Sequence, residues 1–266
     1  TFAPLRKSTW EACWLKAGYV ADFIRALQFL TRFQLIKEVD WSLEALGRSV
    51  RFFPWAGGVI GLVLGGCAWG MVQLFGENLP MHAAAALLIL LEIMLTGGLH
   101  CDGFMDTMDG IFSGRSRERM LEIMKDSRVG AYGAMSFALL MLVKYSFYLD
   151  IPIYSLPMAL LVMPIAGRWA VVAPLVHYPY ARPQGLGQGF GQYAGGLTVW
   201  ASLLLTLLLL APLGGEAIAA GLAASLVAWA VASYAAGILG GLTGDVYGAI
   251  IELSQLGALA VFVFWR

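Results

Sequence analysis

Seven mostly apolar stretches run along the chain, near 52–75, 83–99, 131–149, 153–176, 196–213, 217–240 and 246–265. Each approaches the roughly 20 residues that a helix needs to cross bilayer hydrocarbon. Residues 18–36 are different. Phe23, Leu27 and Leu30 recur on one side of a shorter, more polar stretch, which predicts a helix lying in the membrane interface. The pattern predicts an all-α polytopic membrane bundle forming a single domain over 1–266. Residues 1–50 would be a cytoplasmic or interfacial segment. Residues 51–266 would be the bundle, with a catalytic cytoplasmic loop at 97–130. In the first span Gly57, Gly61 and Gly65 recur every fourth residue, as do Gly66 and Gly70. Such spacing lets helix backbones approach closely in lipid. The uninterrupted apolar flanks argue against a phosphate-cradling loop there.

Composition agrees with lipid as the solvent. Hydrophobic residues are 59% and charged residues 13%, against roughly 45–50% and 25% in soluble proteins. Lys+Arg and Asp+Glu balance at 17 each, which removes any bulk basic signal for nucleic acid. Cys13, Cys67 and Cys101 are too scattered for a disulfide framework or a Cys/His zinc site. Residues 1–22 lack the apolar core and cleavage site of a signal peptide.

Basic residues give the orientation. Arg6, Lys7, Lys16, Arg25, Arg32, Lys37, Arg48 and Arg51 precede the first span. Arg115, Arg117, Arg119, Lys125 and Arg128 lie between the second and third, and Arg182 between the fourth and fifth. The connections in between carry none. This alternation places the N-terminus, 100–130, 177–195 and 241–245 in the cytoplasm and the C-terminus outside.

The second span runs into GGLHCDGFMDTMDG, residues 97–110. Asp102, Asp106 and Asp109 stand at i, i+4 and i+7, on one helical face. Like charges at that spacing cost about 0.2–0.5 kcal/mol per pair, and a nearby bilayer adds a desolvation penalty. A hard divalent cation such as Mg²⁺ would relieve both. On a continuous helix His100 points roughly 160° away from Asp102, so it is as much a structural hydrogen-bonder as a substrate ligand. In SRERMLEIMKDSRVGAYG, 116–133, a helical reading puts Arg115, Arg119, Glu122 and Asp126 on one face. Paired arginines suit a phosphate or diphosphate, and paired carboxylates a second metal contact. The plainer reading is a salt-bridged surface helix through Arg119–Glu122. Lys125 and Arg128 lie off that face and suit phosphate or lipid headgroups. In GGLTGDVYGAIIEL, 240–253, Asp245 and Glu252 share a face, with Asp245 on the same side of the membrane as Asp102. Glu92 and Lys144 inside their spans read as an internal pair, and Arg168 as a pair member or a phosphate ligand. The glycine-rich loop at 180–196, with Arg182, reads as a substrate-covering loop or a plain connector. Carboxylates for a metal and arginines for phosphate at a membrane surface suggest phosphoryl-group transfer.

These stretches, taken with YARPQGLG, TRF at 31–33 and FP at 53–54, resemble the motifs of the cobalamin synthase (adenosylcobinamide-GDP ribazoletransferase) family from about residue 25 to the C-terminus. Cys101, Met105 and Phe33-Gln34 depart from the family pattern. The resemblance implies an enzyme of the bacterial inner membrane whose site faces the cytoplasm. It would transfer the adenosylcobinamide phosphate group from adenosylcobinamide-GDP to α-ribazole or its 5′-phosphate and release GMP, with Mg²⁺ as cofactor. On that reading Asp102, Asp106, Asp109, Glu122, Asp126 and Asp245 are metal ligands. His100, Arg115, Arg119, Lys125, Arg128 and Arg182 bind substrate, and Asp109 or Asp245 is the general base. The apolar helices leave room for a homo-oligomer. Two rivals stand beside this reading. A CDP-alcohol phosphotransferase would have Ala-Arg two residues after the first Asp-Gly pair, and Phe104-Met105-Asp106 follows here. A transporter would have its polar residues near mid-bilayer, whereas the densest charges here lie in one loop.

Overall fold

The computed structural model describes residues 18–37, 39–183 and 185–265, so Cys13 and the first basic residues lie outside the described part. Among the described residues every regular element is helical. An interfacial helix α1 (Tyr19–Leu30) and a short α2 (Leu43–Ser49) lead through a 3-10 turn into α3 (Phe53–Phe75). Next come α4 (Met81–Thr96), α5 (Leu99–Phe112), α6 (Arg117–Ile123) and α7 (Ala131–Asp150). The chain continues through α8 (Leu156–Ala170), α9 (Val172–His177), α10 (Leu186–Tyr193), α11 (Gly196–Leu210), α12 (Gly215–Leu239) and α13 (Gly244–Phe264).

Six helical segments are long and apolar enough to cross a membrane, and the count becomes seven if α4 and α5 are taken together. Their limits match the apolar runs within a few residues, because both are set by the same hydrocarbon thickness. The run expected at 83–99 is α4, whose 16 residues are not among those six segments. α4 ends at Thr96, Gly97 and Gly98 take left-handed conformations at φ 65° and 71°, and α5 leaves at 91° to α4. Two successive left-handed residues are a conformation that glycine alone adopts freely. α4 packs on α7 through the His82–Tyr145 contact and the Glu92–Lys144 ion pair. With α5 turned 91° away from α4 and the basic loop that follows α5 assigned to the cytoplasm, we take α4 as the crossing and α5 as lying outside the spanning segments.

α8 is the central helix, with α3 and α13 packed on it. Gly57, Gly61 and Gly65 lie against the carbonyls of Pro164, Leu161 and Pro157, where a Cβ would collide. The expected close approach therefore holds for these three. Gly66 and Gly70 face open space and contribute nothing to packing within the chain. Large apolar side chains such as Leu62, Leu74, Leu197 and Leu226 are exposed on the outer helices, where lipid would cover them.

Inside the bundle, Lys144 is hydrogen-bonded to Glu92 (3.1 Å), Glu252 (2.9 Å) and Gln255 (3.0 Å). The expected Glu92–Lys144 pair is present, and Glu252 belongs to it. Arg168, also buried, donates to His100 Nδ1 at 3.2 Å. Lys144 is thus paired with two carboxylates in low dielectric, whereas Arg168 Nε and Nη1 have no hydrogen-bond partner among the described residues.

Candidate functional site

The segments assigned to the cytoplasm gather at one end. Tyr180 bridges to Leu242, and Ala181 N–H donates to Leu242 O at 2.8 Å. Arg117 Nε donates to Leu239 O (2.6 Å) and its Nη2 to Ala181 O (3.2 Å), tying α6 to the end of α12 and to the 178–183 loop. The 31–37 segment joins through Arg32 N–H to Leu95 O at 2.8 Å.

α5 lies across the first turns of α13 and α7. Gly103 sits over the Asp245 backbone and Gly248 over the His100 carbonyl, closer than a Cβ would allow. This crossing carries the outer face of α5 to the start of α13. Asp102 is exposed, Asp106 half-buried and Asp245 half-buried. Burial first, then the charges of Asp102, Asp245 and Asp109, push the Asp106 carboxyl up to about 7. That value reports four carboxylates grouped around one end. Asp245 Oδ2 accepts from Arg182 Nη2 at 2.6 Å and from Thr243 at 3.3 Å. Thr243 also caps α13 through the Val246 N–H.

Asp109 is placed differently from its two partners. It is buried, with Oδ2 accepting from Gly130 N–H (2.7 Å) and Oδ1 from Gly133 N–H (2.8 Å). Both oxygens hold the N-terminus of α7, where a negative charge also meets the positive end of the helix dipole. His100 lines the same cavity as Asp102. Its ring is buried, with Nδ1 against Arg168 Nη2 and Nε2 without a partner among the described residues.

The shared face expected for Arg115, Arg119, Glu122 and Asp126 does not form. Gly114 is left-handed at φ 64° and Ser116 caps the helix, so α6 covers only Arg117–Ile123. Arg115 precedes it and Asp126 follows it. Arg119 pairs with Glu122 at 2.7 Å, and Arg128 with Asp126 at 2.7 Å, all at the surface. The Arg128 hydrogen bonds hold Asp126 down to about 2. Arg119, Glu122, Asp126 and Arg128 do line one small cleft of about 130 Å³ beside Asp109.

Three larger cavities open nearby. The first, about 300 Å³, is walled by Phe29, Phe53, Phe190, Leu175 and Tyr247, with Asp102, Arg182 and Asp245 among its lining residues. The second, about 520 Å³, is lined by Arg32, Gly97, Gly98, Cys101, Asp102 and Phe137. The third, about 450 Å³, brings Lys125 to Arg182 and Tyr180. Arg117, Tyr180 and Arg32 were not expected at the site. The Ser116 helix start was the available signal for Arg117, and Arg32 and Tyr180 lie within the TRF and YARPQGLG stretches.

Among the described residues, no three carboxylate, imidazole or thiol groups are placed closely enough to hold an ion as they stand. The donor chemistry nevertheless suits a hard divalent cation. Asp102, Asp106 and Asp245 supply oxygen alone, and their mutual repulsion is what a cation would remove.

The profile of the cobalamin-5-phosphate synthases matches residues 22–263. The chain belongs to that family. It is 44% identical over 166 residues to an adenosylcobinamide-GDP ribazoletransferase of Desulfitobacterium hafniense, covering 61% of this chain and 64% of that protein. Relatives of the same description in Desulforamulus reducens (44% over 160 residues, 60% and 62% covered) and Acetivibrio thermocellus (39% over 171 residues, 64% and 67% covered) are similar. The chain spans a little under two thirds of the length of the first two of these curated relatives. No solved structure matches it. The stretches that resemble the cobalamin-5-phosphate synthases, 97–110, 180–187 and 240–253, are the ones that converge where α5 crosses α13.

Proposed function

We propose that this chain is an adenosylcobinamide-GDP ribazoletransferase, joining adenosylcobinamide phosphate to α-ribazole or its 5′-phosphate with release of GMP. The observation that carries the reading is that Asp102 and the Asp245–Arg182 pair line one aromatic cavity, with Asp106 one helical turn from Asp102. The relatives bear the name of this activity, which supports the donor. Asp102 and Asp106 would hold Mg²⁺ beside Asp245, and the ion would neutralise charge on the donor's diphosphate. Arg182, held at 2.6 Å by Asp245, reaches the same phosphates. Lys125 lies across the neighbouring cleft, and Arg115, Arg119 and Arg128 offer further cations from the surface beside it.

Of the two carboxylates expected as base, Asp109 has both oxygens engaged by α7, whereas Asp245 keeps Oδ1 without a partner among the described residues. We assign proton removal from the attacking hydroxyl to Asp245 and a positioning role to Asp109. Glu122 and Asp126, each paired to an arginine, become ligands only if those pairs open when metal and substrate bind. The alternation of basic loops supports a site on the cytoplasmic face, and the family a bacterial inner membrane. The transporter reading loses support because Glu92, Lys144 and Glu252 satisfy one another in the bundle.

Purified protein in lipid vesicles, given adenosylcobinamide-GDP, α-ribazole and Mg²⁺, is expected to release GMP. Asp106→Asn is expected to abolish that release while leaving the fold intact. No GMP from the wild-type protein would refute the reading.

A further inference from the structure

The aromatic cavity and the Arg32 cavity share Asp102, Leu99 and Phe29, so they meet at the carboxylate on which the proposed metal would sit. Their walls differ in kind. In the first, Phe29 and Phe53 stack at 6.4 Å between centroids, and Phe190 meets both edge-on at 5.0 and 5.6 Å. Val171, Leu175, Tyr247 and Ile251 continue a mostly apolar lining, and the polar groups of this cavity are those of His100, Tyr180, Arg182 and Asp245 beside Asp102. In the second, Arg32 is exposed and has no acceptor among the described residues. Its side chain passes over the Gly97 bend, where a Cβ would collide with its Cδ.

We propose that these are two subsites on opposite sides of one reaction centre. The aromatic cavity takes the base of the acceptor nucleoside, and Arg32 binds the phosphate of the departing nucleotide. This rests on the transferase reading above. In-line displacement at phosphorus needs the attacking and leaving oxygens on opposite sides. Two separate cavities that share Asp102 would let the two groups approach from different sides.

The polarity of the walls sorts the two ligands. Guanine carries hydrogen-bonding groups around its edge, and burying them against phenylalanines leaves them unpaired. A dimethylbenzimidazole is flat, largely apolar and suited to edge-to-face aromatic packing. The corrin-bearing part of the donor is bulkier than either cavity and stays outside both. In the step itself, the ribose oxygen forms a bond to the phosphorus that carries cobinamide. The bond from that phosphorus to the bridging oxygen breaks, its electron pair leaves on GMP, and the hydroxyl proton passes to Asp245. Charge builds on the GMP phosphate, beside Arg32. The third cavity is the weaker candidate for GMP, because Arg117 and Arg182 are already engaged there by backbone carbonyls and Asp245.

Separate equilibrium titrations of GMP and of α-ribazole into the detergent-solubilised protein with Mg²⁺ test the assignment. Arg32→Gln is expected to weaken GMP about tenfold or more and leave α-ribazole within twofold, and Arg32→Lys recovers part of the loss. Gly244→Phe, at a position lining the aromatic cavity where an added Cβ meets open space, is expected to weaken α-ribazole about tenfold and spare GMP. Phe190→Leu is a second probe with the same expectation, and a melting temperature accompanies each variant. The assignment falls if Arg32→Gln leaves GMP unchanged, if Lys125→Ala carries the GMP loss instead, or if folded variants weaken both ligands alike. Absence of GMP release by the wild-type protein strikes the reaction reading instead. The divided binding pattern stands or falls on the titrations alone.

Discussion

Asp109→Asn separates a carboxylate that holds a helix from one that holds a metal. In the wild type, two oxygens accept two backbone N–H groups at 2.7 and 2.8 Å, at a site 8% exposed. An asparagine keeps one acceptor and turns an amide NH₂ toward the other N–H. One hydrogen bond is lost and one donor is stranded, which costs about 1–3 kcal/mol. Removing the charge from the start of α7 adds about 0.3–2 kcal/mol. The sum, about 1–5 kcal/mol, corresponds to a fall of roughly 3–20 °C in melting temperature for a chain of this size. A Cβ at Gly130 or Gly133 would collide with the same carboxylate. Gly133→Ala is therefore expected to act through the same contact, and Asp109→Asn with Gly133→Ala should lose less than the sum of the two. The assay is thermal unfolding in micelles beside the Mg²⁺ dependence of GMP release. A variant that melts with the wild type while needing more than tenfold more Mg²⁺ would refute the argument and return Asp109 to the ligand set.

Lys144→Met leaves Glu92 and Glu252 facing each other without a cation, and is expected to cost about 3–5 kcal/mol. Adding Glu252→Gln should recover part of that, both measured by unfolding. Gly61→Leu drives a side chain into the Leu161 backbone and should destabilise by at least about 1–3 kcal/mol, whereas Gly66→Leu, facing open space, should change little. With the Asp106 carboxyl pushed up to about 7, a proton competes with Mg²⁺ below neutrality. Apparent Mg²⁺ affinity should fall by up to about tenfold per pH unit below 7 and level off above 8. A flat profile from pH 6 to 8 would exclude Asp106 as a ligand.

The spans were legible because a bilayer imposes one length on every crossing, and Phe53–Phe75 or Gly196–Leu210 could be read almost to the residue. The packing role of Gly57, Gly61 and Gly65 was legible for a similar reason, since small residues at four-residue spacing have few other uses in lipid. The face drawn through Arg115, Arg119, Glu122 and Asp126 failed on local grounds. A left-handed Gly114 and the Ser116 cap delay the helix start, and Ile123 ends it before Asp126 is reached. The pairs that build the site were not legible. Arg182 and Asp245 are 63 residues apart, and Arg117 reaches a carbonyl 122 residues away. No local pattern encodes such partners, because they are set by how the ends of several helices come together.

The bend at Gly97-Gly98 decides whether the acidic motif can work at all. A helix continuing straight from α4 would carry Asp109 about 18 Å beyond Gly97, away from α13 and α7. The three aspartates would then share a face with nothing to converge on. Turned through 91°, the same residues lie across the starts of two other helices. Asp102 and Asp106 meet Asp245, and Asp109 meets Gly130 and Gly133. The side-chain spacing is identical in the two cases, so i, i+4, i+7 identifies a face but cannot tell a ligand from a strut. The different surroundings of Asp102, beside the cavity with Asp245, and Asp109, at the start of α7, come from what each meets after the bend. Two successive glycines immediately before an acidic helix were the signal in the sequence that such a difference was coming.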